Sequence, residues 1–119
     1  MRLPIFALIC LIAAAPRAAS TTADGISLLK ECQKAVKLVA DDYATYADVS
    51  YISSCTGFIH GLMAVPNTIF CIPVNVSTNQ VIRVLVTYLL EHPEDLHLAK
   101  GELALDALAD AFPCHRQSE

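Results

Sequence analysis

The sequence has no basic run, no low-complexity stretch and no glycine-rich phosphate loop, and its four Tyr, four Phe, four Gly and six Pro are scattered over 119 positions. Without clustered Lys and Arg, a nucleic-acid-binding surface has no electrostatic source. Without either common glycine motif, the backbone cradles that hold nucleotide phosphates are missing. A formal net charge of −4 disfavours anionic membrane surfaces. At 55% apolar the chain is too hydrophobic for a disordered tail, and its length suits one small core rather than a multidomain enzyme.

Long hydrophobic runs are also scarce. After Met1 and Arg2, the stretch from Leu3 to Ala15 holds about 13 apolar residues, too few to span a bilayer but in proportion for a secretory signal. The small residues Ala18-Ala19-Ser20-Thr21-Thr22-Ala23 offer a cleavage site, whereas cutting after Ala15 would put Pro16 just past the scissile bond. Residues 1–20 are therefore expected to be a signal peptide and residues 21–119 a single helical domain. Cys10, preceded by Ile9 inside the apolar run, does not fit a lipoprotein signal and is expected to leave with the leader. Cleavage removes Arg2 and Arg17, two positive charges, so the formal charge falls from −4 to −6. The mature chain keeps Cys32, Cys55, Cys71 and Cys114, and an even number of thiols in an exported protein is expected to pair.

Helical periodicity dominates what is left. Asp24 is placed to cap a first helix whose apolar positions Leu28, Leu29, Cys32, Ala35, Val36 and Val39 recur at three- and four-residue spacing through Ala40. Asp41–Asp48 breaks the pattern. Ile52, Cys55, Ile59, Leu62 and Met63 form a second stripe of roughly four turns that Pro66 stops. Ile69-Phe70-Cys71-Ile72, flanked by Pro66-Asn67-Thr68 and Pro73-Val74-Asn75, is too short for a helix and reads as an ordered loop. Ser77-Thr78-Asn79-Gln80 predicts a capping box, with Val76 and Val81 as its hydrophobic staple. Val81, Val84, Leu85, Tyr88 and Leu89 then mark a third helix. His92-Pro93 is expected to end it and to begin a fourth, with Glu94 and Asp95 in its first turn, running to about Ala111. Two apolar sets on that fourth segment (Leu96, Ala99, Leu103, Ala107 and Leu98, Leu105, Leu108, Phe112) make a stripe wider than one neighbour needs. The expectation is an all-α, small four-helix domain of two antiparallel hairpins stapled by two disulfides.

Four cysteines allow three connectivities, and spacing alone does not choose among them. In an antiparallel hairpin, residues equidistant from the turn lie side by side. The midpoint of Cys32 and Cys55 falls between Tyr43 and Ala44, and that of Cys71 and Cys114 between His92 and Pro93, so both pairs would close a hairpin. On the chain-entropy model, loops of about 24 and 44 residues would each add roughly 3–4 kcal/mol. Pairing Cys55 with Cys71, centred on Met63, is the rival scheme.

Residues able to carry chemistry form no constellation. His60, His92, His97 and His115 include no pair at ligand spacing on one helical face; His92 and His97 stand about 140° apart around a helix. Ser53, Ser54 and Thr56 lack a nucleophile elbow, the carboxylates are scattered over polar faces, and a cysteine nucleophile would need an unpaired thiol. No catalytic, cofactor-binding or metal-ligating residue is expected, and the protein is read as not an enzyme. Gly57 and Gly61, four apart in the second helix, each cost about 1 kcal/mol relative to Ala. Close approach of another backbone, from a neighbouring helix or a second subunit, would account for them. Asn75-Val76-Ser77 matches a glycosylation acceptor but reads as the approach to the helix cap.

Cys55-Thr56-Gly57-Phe58-Ile59-His60-Gly61, Phe70-Cys71-Ile72-Pro73, Gln80, Tyr88-Leu89, His92-Pro93-Glu94, His97 and Ala111-Phe112-Pro113-Cys114, taken in order, resemble the Rap/Tai immunity proteins of type VI secretion systems. The resemblance runs from about Ile26 to Cys114. It implies an exported, small, mostly helical, disulfide-bonded and often dimeric protein of the bacterial periplasm, which binds and occludes a peptidoglycan amidase effector having a papain-like cysteine site. The expected partners are that effector and a second copy of the chain, with no nucleic acid and no membrane after signal cleavage. The matching positions are glycines, cysteines, prolines and apolar residues, which define a scaffold and not a recognition surface. From exposure alone, the contact elements are expected in Asp41–Asp48, Pro66–Ser77 and His92–His97. The rival reading is an exported folding helper or stress protein of the cell envelope, whose wide fourth-helix stripe would hold unfolded clients.

Overall fold

The computed structural model describes residues 23–41 and 45–115. The expected signal peptide at 1–20 lies outside the described residues. Four α-helices follow one another: α1 (Gly25–Asp41), α2 (Tyr46–Ala64), α3 (Thr78–Glu91) and α4 (Lys100–Ala111), with a 3-10 turn at Pro93–Asp95. The one β-type pairing among the described residues is an isolated antiparallel bridge between Asp24 and Ala99.

The α1 and α2 helices form the first hairpin. Lys34 meets Asp48 at 2.9 Å and Lys30 lies 5.0 Å over the Tyr51 ring, so α2 advances as α1 recedes. Cys32 and Cys55 are bonded to each other, with Cα atoms 5.1 Å apart and both residues fully buried. The second hairpin, α3 with α4, is closed by Cys71–Cys114, which joins the segment before α3 to the residues after α4. Beside that bond the Cys71 N–H donates to the Phe112 carbonyl at 2.8 Å. The observed connectivity is the one the turn midpoints favour, and the Cys55–Cys71 alternative is ruled out.

The core is built from the expected stripes. Leu28, Cys32 and Ala35 of α1, Cys55 and Ile59 of α2, Val81, Leu85 and Leu89 of α3, and Leu103, Ala107 and Leu108 of α4 are buried together. Leu29, Val36, Ile52, Leu62 and Met63 pack against them from partly exposed positions; Val39 lies outside the residues whose side chains are described. Ile82 and Val86 are buried as well, on a flank of α3 outside its predicted stripe. The reason is that α3 contacts all three other helices, as α1 does. The apolar width of the fourth segment has a different origin.

That segment is a correction. The predicted helix from Pro93 to Ala111 is broken: after the 3-10 turn the chain runs irregularly from Leu96 to Ala99, and α4 starts only at Lys100. The cause is tertiary. The Gly25 N–H donates to the Leu98 carbonyl at 3.0 Å, the Ile26 N–H to the Leu96 carbonyl at 3.2 Å, and the Lys100 N–H to the Ala23 carbonyl at 2.9 Å. The Leu96 and Leu98 carbonyls, which a continuous helix would have used internally, satisfy orphan N–H groups at the start of α1, and the Ala23 carbonyl takes the first N–H of α4. Asp24 completes the cap as expected, its Oδ1 accepting from the Ser27 N–H at 3.0 Å. Leu96 and Leu98 then pack on the core from the turn, which leaves α4 a narrower stripe.

Two start signals also differ from expectation. At α3, Ser77 Oγ accepts from the Gln80 N–H at 3.2 Å, but the reciprocal bond of a full capping box is not made. The full box stands at α2, where Thr45 Oγ1 accepts from the Asp48 N–H at 3.2 Å and Asp48 Oδ2 accepts from the Thr45 N–H at 3.1 Å. It starts α2 at Tyr46, which makes the helix 19 residues long.

Candidate functional site

Of the three expected contact elements, one has the form of a docking surface. In Asp41–Asp48, Asp42, Tyr43 and Ala44 lie outside the described residues, while Tyr46–Asp48 are the first turn of α2 rather than a loop. The His92–His97 stretch is occupied with structure. His92 caps α3, its ring Nδ1 donating to the Tyr88 carbonyl at 2.7 Å while the ring stacks on Tyr88 with centroids 4.0 Å apart.

Pro66–Ser77, with Val65 before it, is different. Val65 leaves α2 in an extended conformation. Asn67 then ties a tight turn, its Oδ1 accepting from the N–H groups of Ile69 and Phe70 at 2.9 and 3.0 Å and its Nδ2 donating to the Val65 carbonyl at 3.1 Å. Asn at such a position substitutes its side chain for a backbone turn partner. Phe70 turns inward, 6% exposed, and Cys71 is bonded to Cys114. A second turn follows, with the Val76 N–H donating to the Pro73 carbonyl at 3.1 Å, and Ser77 caps α3. The segment is anchored at both ends and in its middle.

What it presents outward is apolar. Val74 is fully exposed at the tip of the Pro73–Val76 turn, Val65 is 60% exposed and Ile69 51%. From Val49 to Ile82 the chain contains no Asp, Glu, Lys or Arg. Hence α2 beyond its first turn and the whole anchored segment contribute no formal charge of their own, although Lys30 and Lys100 lie over the Tyr51 and Phe58 rings of α2. Depletion of charge with exposed apolar anchors is the composition of an interface core. The sequence reading gave this range but not Val65, Ile69 and Val74; the available signal was the Ile69-Phe70 pair, which cannot both point inward from one tight turn.

The remaining chemistry-bearing residues serve the fold. All four cysteines from Cys32 to Cys114 are in disulfides, so none offers a thiolate nucleophile. His60 Nε2 lies 3.0 Å from Thr78 Oγ1, linking α2 to the start of α3, while His97 and His115 are exposed. Among the described residues, no three His, Cys, Asp or Glu side chains converge in a way that would hold a metal ion. The Lys34 ammonium, then the Thr45 hydroxyl and N–H, hold the Asp48 carboxyl down at about 2. Burial pushes the Tyr88 phenol up, helped by Asp106, Asp95, Asp110 and Glu94 nearby. Tyr88 lines a groove of about 320 Å³ between α3 and α4 together with Val84, Ala107, Arg83, Glu91 and Asp110. Gly57 and Gly61 are exposed, and a Cβ on either would meet nothing within 4 Å, so the expected neighbouring helix does not account for them.

No helix among the described residues is long and apolar enough to cross a membrane. Comparison with curated proteins and with solved structures finds no match. The family model described as Rap1a immunity proteins matches residues 24–114, from the residue that caps α1 to the second cysteine of the Cys71–Cys114 disulfide. With that match over nearly all of the described fold, the chain belongs to the Rap1a immunity protein family.

Proposed function

We propose that this chain is a periplasmic immunity protein that binds and occludes a peptidoglycan amidase effector of a type VI secretion system, protecting the producing cell. Residues 1–20 serve as the export signal and 21–119 as the inhibitory domain. It acts by binding, with no chemistry of its own. The observation that carries the reading is the anchored, uncharged segment from Val65 to Ser77, which holds Val65, Ile69 and Val74 outward. A rigid apolar projection suits insertion into an enzyme's groove, because it orders few side chains on binding. Pairing of two copies into a homodimer is part of the proposal. With no atom of the described residues within 4 Å of a Cβ at either position, Gly57 and Gly61 are assigned to that contact.

The test is affinity capture from the periplasm of the source organism, using tagged residues 21–119 with both disulfides formed, followed by mass spectrometry and light scattering. Recovery of a stoichiometric complex with a cell-wall amidase, whose hydrolysis of peptidoglycan stops on adding the chain, is the expected result. A broad mixture of unfolded envelope proteins would overturn it in favour of a folding helper. An amidase that remains active in the complex would overturn occlusion.

A further inference from the structure

The two disulfides differ in what surrounds them. Cys32 and Cys55 are fully buried between α1 and α2. Cys71 is exposed and Cys114 half-buried, and their bond ties the Val65–Ser77 segment to the end of α4. Thiol–disulfide exchange requires a thiolate to reach one sulfur of the bond, so access separates the two bonds. The parts they hold differ as well, although Phe70 of the segment belongs to the common core. The inner bond lies within the helical core, whereas on the segment side the outer one is supported by Phe70, the Cys71 N–H to Phe112 carbonyl bond and the Asn67 turn.

We propose that Cys71–Cys114 is a redox latch on the docking segment, opened by a dithiol reductant while Cys32–Cys55 keeps the helices together. One reductant thiolate attacks at Cys71, forming a mixed disulfide and releasing Cys114 as a thiolate that takes a proton. The second reductant thiol then displaces Cys71, so the protein gains two thiols and the reductant becomes a disulfide. Opening frees the segment from α4 and removes the restraint that keeps Phe70 inward. The effect on partner binding rests on the docking role proposed above; the order of reduction does not.

The experiment is graded reduction of the folded chain with dithiothreitol, with differential alkylation and mass spectrometry to assign each cysteine and circular dichroism to follow helicity. Cys71 and Cys114 are expected to become alkylated at a dithiothreitol concentration at least tenfold below that for Cys32 and Cys55, with helicity retained. A chymotrypsin pulse then reads the segment, because Phe70 is 6% exposed in the closed form. Cleavage of the Phe70–Cys71 bond should become at least tenfold faster once the outer bond opens. The double variant Cys71→Ala, Cys114→Ala should show the same cleavage without reductant. Equal or earlier reduction of Cys32–Cys55, loss of helicity in step with opening of the outer bond or in the double variant, or a Phe70–Cys71 bond that stays protected would each overturn the latch. None of these readouts uses an effector, so failure of the latch and failure of the immunity reading are distinguishable.

Discussion

Asp48 shows how one residue can join a helix start to a hairpin. Its Oδ2 accepts from the Thr45 N–H and, at 2.7 Å, from the Thr45 hydroxyl, while Oδ1 meets the Lys34 ammonium at 2.9 Å. These partners favour the ionised form and lower its pKa from 3.8 to about 2. A carboxyl depressed on folding adds stability that is complete above its unfolded value and is lost as pH falls through the folded one. Asp48→Asn should therefore melt below the parent at about pH 5, and the gap should close as the pH approaches 2. A gap of constant size across that range would show that the carboxylate's charge contributes nothing. Glycines give a second test at this scale, since the same substitution should act with opposite signs. A Cβ at Gly25 would overlap Leu103 Cδ1 and stand 2.9 Å from the Leu96 carbonyl oxygen, which the Ile26 N–H holds in place. Gly25→Ala is expected to lose about 1–3 kcal/mol through overpacking. Gly57→Ala and Gly61→Ala meet open space and should each gain up to about 1 kcal/mol from helix propensity. Urea denaturation of the three variants gives both signs. If the glycines also serve the homodimer, the stabilised variants should dissociate at higher protein concentration than the parent.

At the scale of elements, the Val65–Ser77 segment separates residues that hold it from residues that it displays. Phe70 sits in the common core, so Phe70→Ala should lose about 3 kcal/mol. Ile69→Ser and Val74→Ser remove exposed side chains and should stay within about 0.5 kcal/mol of the parent. A large loss at Val74 would mean that the tip is packed and not displayed. The same contrast explains what could be read in advance. Stripes such as Leu28, Cys32, Ala35 and Val81, Leu85, Leu89 follow from helical geometry, because local spacing determines them, whereas the turn midpoints only favoured the two observed disulfides over the Cys55–Cys71 rival. The break before α4 does not follow from local spacing. It exists because the start of α1, some 70 residues earlier, takes the Leu96 and Leu98 carbonyls. The α2 start was legible in Thr45-Tyr46-Ala47-Asp48, a capping pattern that lies inside what read as a break. The proposed docking face was legible only as a range, since which residues of a loop face solvent depends on its anchors, here Phe70, Asn67 and Cys114.

Over the whole molecule, formal charge is segregated along the chain, while exposed large apolar side chains occur in both parts, Ile26, Tyr46 and Leu90 among the charged residues and Val65, Ile69 and Val74 away from them. The formal charges lie between Arg2 and Asp48 and from Arg83 onward, while Val49 to Ile82 carries none. Such a division assigns different kinetic roles to the two regions in the proposed complex. The net charge, −6 once Arg2 and Arg17 are removed from a chain of −4, acts at a distance and sets how fast a partner of basic surface arrives. The neutral face acts only in contact and sets how slowly the partner leaves. Raising salt from about 50 to 500 mM should accordingly slow association with the effector on the order of tenfold and leave dissociation nearly unchanged. Val74→Asp should do the reverse, accelerating dissociation by on the order of a hundredfold, because a carboxylate at the centre of a dry contact has no partner there. Its melting temperature should match the parent, since Val74 is fully exposed in the free chain. Surface plasmon resonance on parent and variant at both salt concentrations separates the two rates. Dissociation that follows salt and ignores Val74→Asp would move the contact from the neutral face to the charged surfaces of α1 and α4.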